Sequence, residues 1–231
     1  MQIVKPYAKL MDVADESAGI ALLRKIEWCG RISHRSEEAQ GEDSWRRFIE
    51  AVVIGHGDWS IVEHASATVD ALVDRGITHE WVRHRLFSYT QESTRFVNYE
   101  KKMPASFIQP EGLIAEPARA ANGEPCELSP AQWWGHAIST AESAYKNLIG
   151  AGCPPQIARS VFPNALASRI IVTGNLRNWR HFFIMRTTKE AHPQMREVAI
   201  PLLAEFKAKI PILFDDIEPL AKQSESMKRM R

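Results

Sequence analysis

An α+β fold in a single domain is what the sequence predicts. Segments with helical spacing of apolar residues outnumber candidate strands, the two kinds do not alternate as regular βαβ units, and no internal repeat or long low-complexity segment is visible. With 231 residues, 45% of them apolar, the chain can bury one sizeable core.

Residues from Asp15 to Cys29 form the first amphipathic helix candidate, with Ile20, Leu22, Leu23 and Ile26 on its apolar side and an end near Gly30. Asp43 or Ser44 can cap a second, in which Trp45, Phe48, Ile49, Val52 and Val53 keep helical spacing until Gly55 and Gly57 interrupt it. From His64 to Val73, HASATVDALV alternates in part between small or polar and apolar residues, which favours a strand. After Gly76, ITHEWVRHRL sends Ile77, Trp81 and Val82 inward and leaves Glu80, Arg83 and His84 on a polar side, so the spacing predicts a helix closed by Arg83-His84-Arg85. Phe87 to Asn98 reads as a loop, and residues 101–128, with several Pro and Gly, as an irregular surface excursion. Ser129-Pro130 starts a helix that runs through Trp133, Trp134, Ala137, Ala141, Ala144 and Leu148 to Gly150, and a short helix follows Pro154-Pro155. RIIVTGN, residues 169–175, is short and β-branched, hence a strand, after which Asn175 can cap the helix NLRNWRHFFIMR. A final helix carries Met195, Val198, Leu202, Leu203 and Phe206, with Pro201 predicting a kink or a restarted turn; the basic tail, residues 222–231, reads as frayed.

Composition narrows the function. Twenty-nine Lys plus Arg against 28 Asp plus Glu leave a formal net charge of +1, so no global field draws the chain to nucleic acid or to a membrane surface. The amino end lacks the apolar core of a signal peptide, and no apolar run reaches bilayer-spanning length. Cys29, Cys126 and Cys153 are odd in number and far apart, which suits reduced thiols and a cytoplasmic setting.

Basic character is instead local. Arg83 and Arg85 are permanent cations able to grip phosphate oxygens in paired hydrogen bonds, although cations at a helix end also simply complement its dipole. Gln91, Ser93 and Arg95 follow at every second position, so an extended backbone would present amide, hydroxyl and guanidinium on one side. In NLRNWRHFFIMR, Arg177 and His181 share a helical face and Arg186 closes the segment, while Trp179, Phe182 and Phe183 suit a core. His79 and His84 are five residues apart rather than four, which argues against a zinc-hydrolase helix, and no metal is expected. There is no GxSxG elbow, GxxxxGK loop or GxGxxG fingerprint, so any phosphate site is assembled differently.

Taken in order, VEH at Val62 to His64, RHRLFSYTQESTR, ARSVFPN at Ala158 to Asn164 and NLRNWRHFFIMR closely resemble the flavin-dependent thymidylate synthases, in which RHR, seven residues and Ser form the signature. The resemblance implies a homotetramer with a central, mostly antiparallel sheet flanked by helices and active sites built at subunit junctions. It implies FAD held by Ser60, Arg83, His84, Arg85, Gln91, Asn175, Arg177 and His181, and deoxyuridylate near Glu80, Arg83, Gln91, Ser93, Arg95, Arg159 and Arg186. Arg186 is the catalytic candidate, its charge at the uracil edge favouring ionisation of the ring imide. NADPH would reduce FAD, and methylenetetrahydrofolate would donate the carbon of the new methyl group. Ser93 has no evident adjacent base, so it reads as an anchor and not a nucleophile. The chain departs from the family pattern at Asp58, where many members carry histidine, and at Gln91, where others carry glutamate. A related flavin and folate enzyme with another pyrimidine acceptor or a hydroxymethyl product is the near alternative; a nucleic-acid-binding module using the two basic clusters is the distant one.

Overall fold

The first long helix shows how sequence and packing divide the work. In this computed structural model, which describes residues 1–101, 103–119 and 122–222, α1 spans Glu16–Ile32 and begins where the Asp15 carboxylate accepts from the Ala18 amide at 3.0 Å. It ends two residues past Gly30, near the expected place. A Cβ on Gly30 would meet Cζ of Phe48 at 2.5 Å, so this glycine is a site of close approach inside the helix instead of its stop.

The order of the remaining elements is β1 (Gln2–Ile3) and β2 (Tyr7–Leu10) before α1, then α2 (Ser44–Phe48), β3 (Ser66–Asp74), α3 (Arg75–Trp81), β4 (Ser88–Gln91), β5 (Ser106–Phe107), α4 (Pro130–Gly150), α5 (Pro155–Ala158), β6 (Ala167–Asn175), α6 (Leu176–Arg186) and α7 (Pro193–Lys209). The expected α+β class is observed, with an antiparallel sheet flanked by helices. That sheet has the order β2-β3-β6-β4. The chain divides into two compact units: Met1–Pro6, Leu72–Glu80 and Gln91–Ile170 form one, and Tyr7–Ala71, Trp81–Thr90 and the chain from Ile171 onward form the other. The larger part of each strand of the four-stranded sheet lies in the second unit.

In the first unit, Tyr99, Phe107, Ile138, Tyr145 and Leu166 are the heart of the core. Ser129 starts α4 with a reciprocal cap: its hydroxyl accepts from the Gln132 amide at 3.2 Å, and the Gln132 side chain accepts from the Ser129 amide at 2.8 Å. In the second unit, Trp179 and Phe183 on α6 pack with Phe206 of α7, Phe183 and Phe206 pack with Phe214, and Phe182 packs beside Trp179 and Phe183, every one of them fully buried. The helix α2 continues through Ile49–Gly55 in wider π-turns, as the bond from the His56 amide to the Ala51 carbonyl at 3.0 Å shows. Helix α7 neither stops nor restarts at Pro201, because buried Met195, Val198 and Ala199 before it and Leu202, Leu203 and Phe206 after it hold one continuous apolar face.

Several expectations need correction. Arg83-His84-Arg85 does not close a helix: α3 ends at Trp81, and the triplet follows in tight turns closed by the His84 amide to the Trp81 carbonyl at 3.0 Å and the Phe87 amide to the His84 carbonyl at 3.3 Å. Tyr89 stabilises this break, since its hydroxyl lies 2.7 Å from both of those carbonyls and satisfies what a further helical turn would have bonded. The segment taken as a loop from Phe87 contains β4, an edge strand of alternating exposed and half-buried residues without apolar signal. Past Glu92, whose amide still bonds the Arg169 carbonyl of β6 at 2.9 Å, the chain turns, with the Phe96 and Val97 amides both bonded to the Ser93 carbonyl at 3.1 Å, so Gln91, Ser93 and Arg95 do not keep a period-two register. The excursion at 101–128 is not purely superficial: Ala105, Phe107 and Ile108 are buried, and β5 pairs in parallel with β1. The tail expected to fray lies, beyond Lys222, outside the described residues.

Candidate active site

Strand β6 delivers its last residue, Asn175, to the head of α6, where the Asn175 side chain accepts from the Asn178 amide at 2.8 Å. One helical turn later Asn178 donates through Nδ2 to the Leu86 carbonyl at 3.1 Å, tying α6 to the turn that carries Arg83-His84-Arg85. The approach is close because Gly174 has no side chain: a Cβ there would sit 2.3 Å from the Phe87 ring. Phe87 in turn packs edge-on against Trp179, with centroids 4.7 Å apart.

Between these segments, within the second unit, lies a cleft of about 980 Å³. Among its lining residues are Arg83, His84, Arg85, Asn175, Arg177, His181 and Arg186, so the two basic clusters read from the sequence converge within one chain. Arg177 pairs with Glu63 at 2.5 Å, both half-exposed, and as a solvated pair it contributes little to stability. Across the cleft, Nε of Arg186 donates to Nε2 of His84 at 2.9 Å.

The electrostatics of the cleft are set by burial and by Arg186. Burial, then the positive charge of Arg186, then His181 hold the His84 imidazole down to about 4, so it is neutral at physiological pH. His181 is lowered in the same sense, first by burial and then by Arg186. Burial raises the Tyr89 phenol, which keeps its one proton in place between the Trp81 and His84 carbonyls.

Ser60 lies in the 3-10 turn Trp59–His64 of the second unit and is exposed. In the first unit, Gln91 donates through Nε2 to the hydroxyls of Thr78 and Ser168, both at 3.0 Å, and Nη1 of Arg159 donates to the Thr94 hydroxyl at 2.9 Å. Ser93 opens the turn that holds Thr94; Arg95 is exposed, with its guanidinium over the Phe96 ring, and Glu80 is half-buried one residue before the end of α3.

Other contributors carry no recognisable sequence signal. Arg180, on α6, is buried and grips Asp216 with both Nη atoms while donating to the Leu213 carbonyl at 2.9 Å. Its guanidinium also lies 4.4 Å over the ring of Trp59, a residue of the cleft wall. The helical spacing of α6 marks Arg180 as different from Arg177 and Arg186, but nothing local points to Asp216.

Comparison with known proteins decides the family. The family model for thymidylate synthase complementing protein matches residues 20–212. The flavin-dependent thymidylate synthase of Mycobacterium sp. (strain JLS) is 35% identical over 229 residues, covering 91% of this chain and 85% of its own. The chain belongs to the flavin-dependent thymidylate synthase family. The synthase of Pyrococcus furiosus is 34% identical over 209 residues and covers 87% of this chain and 78% of its own. Among solved structures, the UMP/dUMP methylase PolB from Streptomyces cacaoi bound with 5-Br dUMP superposes with a TM-score of 0.73 over 93% of this chain and 96% of its own; at 22% identity it supports the fold. Among the described residues, no helix is long and apolar enough to cross a membrane.

Proposed function

We propose that this enzyme makes thymidylate, reductively methylating deoxyuridylate with methylenetetrahydrofolate as carbon donor and NADPH as the source of reducing equivalents for a bound FAD. The observation that carries this reading is the single cleft shared by Arg83-His84-Arg85, by Asn175 at the cap of α6, and by Arg177, His181 and Arg186 on that helix.

The cleft suits the cofactor on its own terms. Its volume, about 980 Å³, falls at the upper end of ligand clefts, and its walls combine guanidinium groups for a diphosphate with aromatic and apolar surface for rings. Arg83, Arg85 and Arg177 would hold the diphosphate, with Asn175, His181 and His84 giving directional contacts, and the resemblance adds Ser60 and Gln91 where subunits meet. When bound, the flavin supplies the hydride that completes the methyl group.

The chain's own residues bind and polarise. In a site built where subunits meet, Arg83, Arg95 and Arg159 would neutralise the nucleotide phosphate, Glu80 and Gln91 would orient the nucleotide, and Ser93 would anchor it. No base lies within hydrogen-bonding distance of the Ser93 hydroxyl among its described contacts, which include the Arg95 amide at 3.4 Å, and this supports anchoring over nucleophilic attack. Arg186 places a fixed positive charge where the uracil imide loses its proton, lowering the cost of building negative charge on the ring. The enzyme works as a cytoplasmic homotetramer.

Product analysis tests this directly. Purified protein with FAD, NADPH, methylenetetrahydrofolate and deoxyuridylate should yield thymidylate by mass, and size measurement in solution should give four chains. A product carrying a hydroxymethyl group, or methylation of another pyrimidine nucleotide only, would replace the reading with its near relative. Protein that binds no FAD would end it.

A further inference from the structure

The hydrogen bond between Arg186 and His84 has only one possible direction. A guanidinium carries donors and no acceptor, so Nε of Arg186 donates and Nε2 of His84 accepts at 2.9 Å. A ring nitrogen that accepts has no proton of its own. His84 is therefore neutral, with its proton on Nδ1. The ring is also held in place. It lies edge-on to Phe182, Phe87 and His181 at centroid distances of 5.2, 6.3 and 5.8 Å, and its carbonyl takes the Tyr89 hydroxyl.

We propose that His84 is a positioning residue for Arg186: its neutral ring, protonated at Nδ1, holds Nε of the guanidinium and thereby sets the plane in which Arg186 meets the pyrimidine. This goes beyond a place for His84 in the cofactor set, and it rests on the reading that Arg186 acts at the pyrimidine ring. An arginine on a flexible stem is an imprecise electrostatic catalyst unless something rigid fixes its plane, and small misplacements in an active site are costly in rate. His84 is suited to the task because its own backbone is bonded at both ends of a tight turn and its ring is wedged among aromatics. The surroundings also keep it an acceptor. Arg186 and His181 face it from α6, Arg83 and Arg85 flank it on its own turn, and Glu63 and Glu190 are the carboxylates of the same cleft. Burial and Arg186 together keep the ring unprotonated down to about pH 4.

The test separates this role from flavin binding and from simple packing. NMR of the histidine ring nitrogens in the wild-type protein should show His84 unprotonated at Nε2 through the neutral range, a readout independent of turnover. In kinetics at saturating FAD and deoxyuridylate, His84→Ala should lower kcat by about 10- to 100-fold while changing KM for deoxyuridylate by less than about threefold. His84→Gln, whose amide oxygen can stand near the place of Nε2, should recover most of that loss. A protonated Nε2, full turnover of His84→Ala once FAD is saturating, or equal loss in the Ala and Gln variants would each overturn the proposal. If His84→Ala fails to fold, the ring-nitrogen spectrum and the Gln variant decide. Absence of thymidylate from wild-type reactions would instead overturn the underlying reading of Arg186 and this proposal with it, whereas the outcomes named before it leave that reading standing.

Discussion

Replacing Gly174 with alanine should loosen the joint between β6 and the turn that carries the arginine pair. The added Cβ would lie 2.3 Å from Cδ1 and 2.4 Å from Cε1 of Phe87, far inside van der Waals contact. Phe87 cannot swing away cheaply. It is 8% exposed and packs on Trp179 at 4.7 Å and on Tyr89 at 6.2 Å, and the carbonyl of the residue before it is bonded to Asn178. Overpacking of this kind costs about 1–3 kcal/mol, which for a chain of this size lowers Tm by about 2–12 °C. Because Phe87 lies two residues after Arg85, FAD affinity should weaken together with stability. Thermal melts and FAD titrations of Gly174→Ala, Phe87→Leu and the double variant measure both effects. The double variant should be less destabilised than the sum of the singles, since leucine gives up ring atoms that the new methyl group strikes. A Gly174→Ala protein that melts with wild type, or strict additivity in the double variant, would refute the close-contact argument.

Arg186→Ala should retain fold and flavin binding but lose turnover by about 10²-fold or more, and the pKa values of His84 and His181 should both rise because the Arg186 charge helps to depress each; wild-type turnover rules out the assigned role. Asp216→Asn removes the charge that both Nη atoms of buried Arg180 grip and should cost about 2 kcal/mol, less than for a fully buried pair because Asp216 is 44% exposed, with a change in Trp59 fluorescence; an unchanged Tm contradicts this. The depressed pKa of His84 makes stability depend on pH in a definite sense. The unfolded chain binds the His84 proton near pH 6.5 and the folded chain only near 4, so the contribution of this group is complete above 6.5 and is lost as pH falls towards 4. Tm measured against pH should therefore fall more steeply over that window in wild type than in His84→Gln, and parallel curves would show that His84 does not titrate as stated.

Much of the fold was legible because its signals are local. Asp15, Ser129 and Asn175 cap helices within three residues of themselves, and the β-branched run before Asn175 needs no distant partner to be read as a strand. The elements that escaped have no such signature. Strands β1, β2 and β5 are two to four residues long, too short to show a period. Edge strand β4 owes its conformation to pairing in the sheet, and the end of α3 is settled by the hydroxyl of Tyr89, eight residues beyond Trp81. The site divides in the same way. Arg83, Arg85, Arg177 and Arg186 are evident as cations, whereas Asp216, 36 residues from the Arg180 it clamps, carries no mark in the sequence.

The amino acids alone establish which groups are available: permanent cations in two ordered clusters, an aromatic face to bury α6, and caps that start its helices where they do. They do not establish the protonation state of His84. That depends on losing water among Phe87, His181 and Phe182 and on a guanidinium 102 residues away in the chain, conditions that exist only once the two clusters have folded against one cleft.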